Sequence, residues 1–282
     1  MPVGIYIVAG IDPMDNYGYG VVDPEEIQFM EACLMMDILD HDAKTVIDMY
    51  AIEVFAEEGE ENPEPNPKKD SLMNGALERI QKILAAIGRA IEGFFDGIKN
   101  ASDKNHLSAD EFLSDPTVQI QLDADYAAMV AAIDREYLEC RKYIKMLSDK
   151  TNIPIESIGA VADRVDAIAH DKRYQIANTG KGIMKGVAVR SLSNKIVKNM
   201  ESVKQAKKTV DQNVFRMKAR KIPYSPKDLN ALQKLAHCLS NITMSYTMSY
   251  NGIKRAVNLA QTSGKYKDKY NAKTAKKLKK GR

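Results

Sequence analysis

Tryptophan is absent, and aromatic residues make up only 7% of the 282-residue chain. Strands draw on aromatic and β-branched side chains, so this scarcity counts against an all-β fold and favours helices. Cysteine is scarce too: Cys33, Cys140 and Cys238 are far apart, odd in number and never spaced as CxxC. Neither a zinc ribbon nor a disulfide framework is indicated. Each thiol sits in an apolar helical pattern, where it is expected to behave as a small buried hydrophobe in a reducing compartment. No run of 18 apolar residues occurs, which excludes a conventional membrane-spanning helix. The opening MPVGIYIVAGID has no basic n-region and is not read as a signal peptide.

Recognisable chemistry is missing as well. His41, His106, His170 and His237 are scattered and lack spaced partners, and no nucleophile elbow, zincin helix or general acid/base pair is present. Asp37, Asp40, His41, Asp42 and Asp48 crowd one junction and invite a metal reading. Their spacing is not specific for any ligand set, and the simpler expectation is that Asp42 caps a helix while the rest face water. Asp12, Asp15 and Asn16 are expected to cap turns, since the closing Glu of a Ca²⁺ loop is lacking. Gly180-Lys181-Gly182 lacks the glycine spacing, the following hydroxyl and the preceding strand of a phosphate loop, and is read as a helix C-cap and hinge. The chain is therefore expected not to be an enzyme, with no catalytic, cofactor-binding or metal residues and no cofactor.

What is present is helical periodicity. From Asn74 to Ala101 the large apolar residues fall at Leu77, Ile80, Leu84, Ile87, Ile91, Phe94 and Ile98, in alternating steps of three and four. That is a heptad seam, and it predicts a two-faced helix whose stripe must be buried against protein or lipid. Gly88, Gly93 and Gly97 weaken this helix in isolation and allow a partner's close approach. Similar seams run from Leu122 to Leu147, predicting a helix of about 28 residues, from Leu192 to Met217, and from Leu229 to Ala260 after the cap and N1 proline Ser225-Pro226. Tyr246 and Tyr250 lie on the periodic face of the last one, so burial is preferred over base stacking.

The rest of the chain divides around these seams. Val3–Ala9 is the one strand candidate, followed by a turn-rich Ile11–Gly20. Residues 1–56 form an acidic helical region, with one helix from Asp23-Pro24 to about Asp40 and a second beyond Asp42. Residues 57–71, EEGEENPEPNPKKDS, have no apolar side chain and three prolines, and read as a flexible acidic linker ending at a cap on Asp70 or Ser71. Residues 72–150 hold amphipathic helices, with a fresh start at Asp115-Pro116, and 151–264 a basic helical region broken at Asn178–Gly186. Residues 265–282 form a disordered Lys-rich tail. The expected fold is mainly α, an elongated bundle of long amphipathic helices, with one short N-terminal strand-like segment and that tail.

Charge is polarised. Residues 1–150 carry 30 Asp+Glu against 13 Lys+Arg, while 151–282 carry 8 against 28, within a net charge of +3. Either the halves attract each other, within or between molecules, or the basic half serves a polyanion. In the tail, Lys265, Lys267, Lys269, Lys273, Lys276, Lys277, Lys279, Lys280 and Arg282 are the candidate polyanion contacts. Lysine predominates, so tethering without base reading is expected. An acidic protein surface or anionic lipid are the rival targets.

The acidic opening helices (DPEEIQFMEACLMMDILD), the linker EEGEENPEPNPKKD, the amphipathic LERIQKILAAIGRAIEGFF and the Lys-rich end together give a layout that resembles helical internal-head and prohead-core proteins of tailed bacteriophages. The resemblance covers roughly residues 23–100 and the tail. It implies a structural component packaged in a capsid or scaffolding one, located in the host cytoplasm or the virion. Its partners would be copies of itself, other virion proteins and nucleic acid. The strongly basic second half departs from simple acidic scaffolds. A membrane-active role for Leu77–Ile98 in genome delivery, or sequence-nonspecific nucleic-acid binding alone, are the alternatives.

Overall fold

Proline opens three of the long helices, where its missing N–H costs nothing and its fixed φ is already helical. These are α1 (Pro24–Glu57), α2 (Pro67–Ser102) and α7 (Pro226–Thr262). The computed structural model describes residues 24–57, 67–102, 109–149, 154–174, 182–220, 225–262 and 266, and these are mainly helical. The expected strand Val3–Ala9, the turns of Ile11–Gly20 and most of the acidic linker lie outside them.

Several expected boundaries move. α1 is one helix of 34 residues, and Asp42 lies exposed in its interior instead of capping a second helix. No Gly or Pro interrupts 25–57, and Met36, Ala43, Ile47 and Tyr50 form one continuous buried face across the supposed junction. α2 takes Pro67–Ser71 from the expected linker, because Pro67 starts the helix ahead of Asp70 and Ser71. Lys68 then pairs with Glu53 of α1.

Asp115-Pro116 begins no helix. After α3 (Ala109–Leu113), Asp115 Oδ1 accepts from Thr117 N–H and Oγ1 at 2.9 and 2.6 Å, an Asx turn that delivers the chain to β1 (Gln119–Gln121). Asp125 caps α4 (Tyr126–Ser148) by accepting from Ala128 N–H at 3.0 Å, which sets the helix at 23 residues and leaves Leu122 in the connection. α5 (Ile155–His170) stops at Asp171, before a 3₁₀ turn at Lys172–Tyr174. Most of the Gly180-Lys181-Gly182 hinge expectation lies outside the described residues; the described end of Asn178–Gly186 forms β2 (Ile183–Lys185), paired antiparallel to β1 with Ile120 opposite Met184. In β1 the period of two is visible, with Ile120 buried between exposed Gln119 and Gln121 and with Val118 and Leu122 buried on either side. α6 (Gly186–Arg220) follows at once, and a Cβ on Gly186 would lie 2.8 Å from the Leu113 carbonyl oxygen, so glycine lets the ribbon and α3 meet.

α7 packs against α1, α2, α4, α5 and α6. It is buried on most sides from Leu229 to Val257, and the buried set includes Ser240, Asn241, Thr243, Ser245, Thr247 and Ser249. Hydroxyls can enter such a core only if they are satisfied. Thr243, Thr247 and Ser249 donate to the carbonyl four residues back at 2.7, 2.9 and 2.9 Å, and Ser240 reaches the Met36 sulfur at 3.1 Å. Small side chains here let neighbouring helices come close. At Gly252 a Cβ would fall 1.9 Å from the Tyr126 hydroxyl, so this position has room only for hydrogen. The cap of α7 is reciprocal: Ser225 Oγ accepts from Asp228 N–H, and Asp228 Oδ2 accepts from Ser225 N–H, both at 3.2 Å.

Candidate functional site

The seam on α2 faces inward. Leu77, Ile80, Leu84, Ile87, Ile91 and Phe94 are buried, Ile98 packs on the same core, and the surrounding elements are α1, α6 and α7. Its glycines fit that setting in part. A Cβ on Gly88 would lie 3.2 Å from the Lys207 ammonium, which occupies the space and pairs with Asp211 at 2.7 Å, whereas nothing comes within 4 Å of one on Gly93.

The two oppositely charged halves meet within the molecule. Arg164 pairs with Glu136 at 2.8 Å, Arg190 with Asp110 at 3.1 Å, Lys195 with Asp134 at 2.5 Å and Lys218 with Glu78 at 3.7 Å. Each joins the basic half to the acidic one, and each has an exposed partner that limits its worth to about 1 kcal/mol or less. α6 carries more cations than these pairs use. Lys204 lies over the Phe95 ring at 5.6 Å, while Lys198, Lys208 and Arg216 are exposed and have no ion-pair partner among the described residues. They lie on the side away from Val203, Val210 and Val214. Eighteen residues separate the first from the last, a stripe roughly 27 Å long at 1.5 Å per residue. Glu201 interrupts it.

A polar cleft of about 290 Å³ opens between α1, α5 and α7, lined by Asp40, Lys44, Asp48, Gly159, Asp163, Asn230, Gln233, Lys234 and His237 among others. Its floor is the most enzyme-like grouping among the described residues. His237 Nδ1 stands 3.3 Å from Asp40 Oδ2, and Gln233 Nε2 donates to the other carboxylate oxygen. The second ring nitrogen faces Asn241 Nδ2 at 3.3 Å, and that amide also donates to the Ala162 carbonyl at 3.3 Å. A base acting on a ligand needs a free ring nitrogen turned toward it. Here both are engaged, and the chain Asp40–His237–Asn241–Ala162 ties α1 to α5 through α7. From the acidic crowd on α1, His41 and Asp42 face solvent while Asp40 turns inward. Among the described residues no three His, Cys, Asp or Glu side chains converge as a metal set would.

The two aromatic candidates are core residues. Tyr246 is fully buried and donates to Asp134 Oδ1 at 2.7 Å; Asn199 donates to the same oxygen. Burial first, then the hydrogen bond to Asp134, hold this phenol far above its ordinary value of 10.0. Tyr250 is raised by burial and meets Phe94 edge-on at 5.0 Å. Tyr246 therefore has no face free for a base, while Tyr250 is half-buried with its ring against Phe94. Cys140 and Cys238 are buried free thiols of α4 and α7, and the hydrogen bond between them, with burial second, pushes the Cys238 thiol well up.

Lys265, Lys267, Lys269, Lys273, Lys276, Lys277, Lys279, Lys280 and Arg282 lie outside the described residues. Tyr266, within the segment expected to be disordered, is buried: its ring meets Phe112 edge-on at 5.6 Å, and its hydroxyl donates to the Thr117 carbonyl and accepts from Gln119 N–H, both at 3.1 Å. Tyr266 is thus fixed beside the β-ribbon. A tyrosine among lysines gives no sign of its distant partners Phe112, Thr117 and Gln119, and the anchor is invisible without them.

A second surface lies on the outer side of α1, where Met35, Ile38, Met49, Ile52 and Phe55 are exposed. Its apolar side chains occur all round the helix, a pattern that one inward face cannot absorb. No family model, curated protein or solved structure matches the chain.

Proposed function

We propose that the chain is a non-enzymatic assembly protein, a structural or capsid-assembly component of a virion. Its helices associate with copies of itself, and its basic half rests against nucleic acid. The observation that carries this reading is the outer stripe of α6, where Lys198, Lys208 and Arg216 stay unpaired among the described residues although other cations of the same helix are drawn into ion pairs with the acidic half. Unpaired cations along one side of a long helix suit a phosphate backbone, which releases counterions as it is neutralised. The engaged ring nitrogens of His237 support a non-catalytic role, and the burial of Leu77–Ile98 supports packing over insertion at a bilayer. The same proposal takes the helices as an elongated bundle, for which small-angle scattering would give a radius of gyration above the roughly 19 Å of a compact chain this long.

Binding to duplexes of unrelated sequence across a salt series tests the reading. Equal affinities are expected, with log K falling against log salt by about 0.9 for each phosphate neutralised. Absence of DNA retention at low salt, or a strong preference for one sequence, would overturn it.

A further inference from the structure

The exposed stripe on α1 has a register of its own. Met35, Ile38, Asp42, Thr45, Met49 and Ile52 follow one another in steps of three, four, three, four and three, the spacing of a coiled-coil seam. The stripe lies opposite the face that carries Met36, Ala43, Ile47 and Tyr50 into the core, and among the described residues α1 packs mainly against α2 and α7. Its four apolar members and the adjacent Phe55 are between 46% and 68% exposed. At on the order of 100 Å² each for such side chains, they make about 500 Å² of apolar surface. That is near the upper end of what a monomer shows, where large patches often mark an interaction site.

We propose that this stripe is the contact between two copies of the chain, with their α1 helices antiparallel about a twofold axis. The occupant follows from the pattern, because the stripe complements itself. Two apolar steps, Met35 and Ile38, precede two polar ones, Asp42 and Thr45, and two apolar steps, Met49 and Ile52, follow them. Antiparallel pairing sets Met35 against Ile52 of the second copy, Ile38 against Met49, and Asp42 against Thr45. Every apolar layer then meets an apolar layer, and the carboxylate meets a hydroxyl. Parallel pairing in register would instead place Asp42 against Asp42 inside the seam, where like charges are destabilising. Beside the seam, the antiparallel arrangement brings exposed His41 of each copy next to exposed Asp48 of the other. A stable interface needs roughly 800 Å² per partner. The apolar stripe supplies over half, and the four polar residues just named supply contact around it.

This inference rests on the self-association in the function proposed above and is independent of its nucleic-acid contact. Light scattering of the intact chain without DNA should give twice the chain mass. Ile38→Asp with Ile52→Asp should give a single-chain mass at unchanged helicity and unchanged DNA affinity per chain. Loss of DNA binding with dimers intact would count against the polyanion reading alone. Orientation is read by oxidising mixed single-cysteine variants in a Cys33→Ser background: Met35→Cys should cross-link to Ile52→Cys and not to itself. A monomeric wild-type chain overturns the proposal, including the case in which removing residues 1–22 releases dimers and so reveals this chain's own N-terminal segment as the cover. So do dimers that survive the double substitution, or Met35→Cys cross-linking to itself.

Discussion

α1 and α2 both present apolar side chains at heptad spacing, yet one such face is sealed in the core and the other looks outward. Leu77, Ile80, Leu84, Ile87 and Ile91 are within 1% of complete burial, whereas Met35, Ile38, Met49 and Ile52 are about half exposed or more. Periodicity says that a face will seek a cover; it does not say whether the cover belongs to the same chain. The difference lies in what else each helix carries. Charged residues such as Glu78, Lys82, Arg89 and Glu92 fill the remaining sides of α2 and orient it without ambiguity. α1 has apolar residues on both sides, and its inner face is simply the one that α2 and α7 can reach.

The contrast breaks most directly under a matched pair of substitutions. Ile87→Asp puts a carboxylate in a sealed core and leaves a cavity, so a loss of at least about 4 kcal/mol is expected. That is much of the roughly 5–15 kcal/mol a domain possesses. Ile52→Asp should change monomer stability by no more than about 0.5 kcal/mol, as exposed substitutions usually do. Urea denaturation at a concentration where the chain is monomeric measures both. Equal losses would mean that the outward stripe is covered within the monomer.

Glycines sharpen the same distinction at smaller scale. Gly252→Ala would drive a methyl into Tyr126, whose hydroxyl, Cζ and Cε1 lie within 2.9 Å of its place, at a cost of about 1–3 kcal/mol. The cost should shrink in a Tyr126→Ala background, because the two sites share one clash. Gly93→Ala, with nothing within 4 Å, should raise stability by up to about 1 kcal/mol through helix propensity. Thermal melts of the four variants decide whether inner and outer helix faces obey separate rules here.

How much could be read beforehand follows the same division. The seams of α2, α4, α6 and α7 were legible because amphipathic helices leave a period of 3.6 in the sequence. The continuity of α1 was not, since a helix apolar on two sides shows no single stripe and Asp42 imitates a cap. β1 was missed although Val118, Ile120 and Leu122 alternate with polar residues, because Asp115-Pro116 reads as a helix start; β2 is short and its partner is distant, the pairing spanning Gln119 to Lys185. Of the candidate site, the charge split was plain, but which cations are consumed by ion pairs depends on helix rotation. Likewise Asp40 and His237 are 197 residues apart, and only the packing of α1 on α7 brings them to 3.3 Å.

Tyr246 tests the polar interior of α7 against pH. Replacing it with Phe removes the hydrogen bond to Asp134 and should cost about 1 kcal/mol at pH 7. Its folded-state pKa is raised above 10.0, so the folded state keeps a proton that the unfolded state sheds. The stabilisation this represents is fully present below pH 10 and is lost progressively above it, by up to about 1.4 kcal/mol per pH unit for one group. Buried Tyr126 and Tyr137 and half-buried Tyr250 are shifted in the same direction and add to the alkaline decline. Urea midpoints from pH 8 to 11 should therefore fall less steeply in Tyr246→Phe than in the wild type. Parallel curves would show that Tyr246 titrates like a solvent-facing phenol.

The smallest effect on stability should come from the outer side of α6, and there it separates folding from function. Lys198→Glu, Lys208→Glu and Arg216→Glu break no ion pair among the described residues, and all three lie on the side away from the buried Val203, Val210 and Val214. Each change should stay within about 0.5 kcal/mol. The ion-paired Lys195 provides the counterexample: Lys195→Glu sets a second carboxylate against Asp134 and the Tyr246 network, and should destabilise more than any of the three. Binding to nucleic acid reverses the ranking. With three fewer phosphates neutralised, the slope of log K against log salt should lessen by about 2.7, whereas a cation already held by Asp134 has less to offer a phosphate. If the triple variant keeps the wild-type slope, the polyanion lies elsewhere on the chain, and α6's outer stripe is a solvated helix face and nothing more.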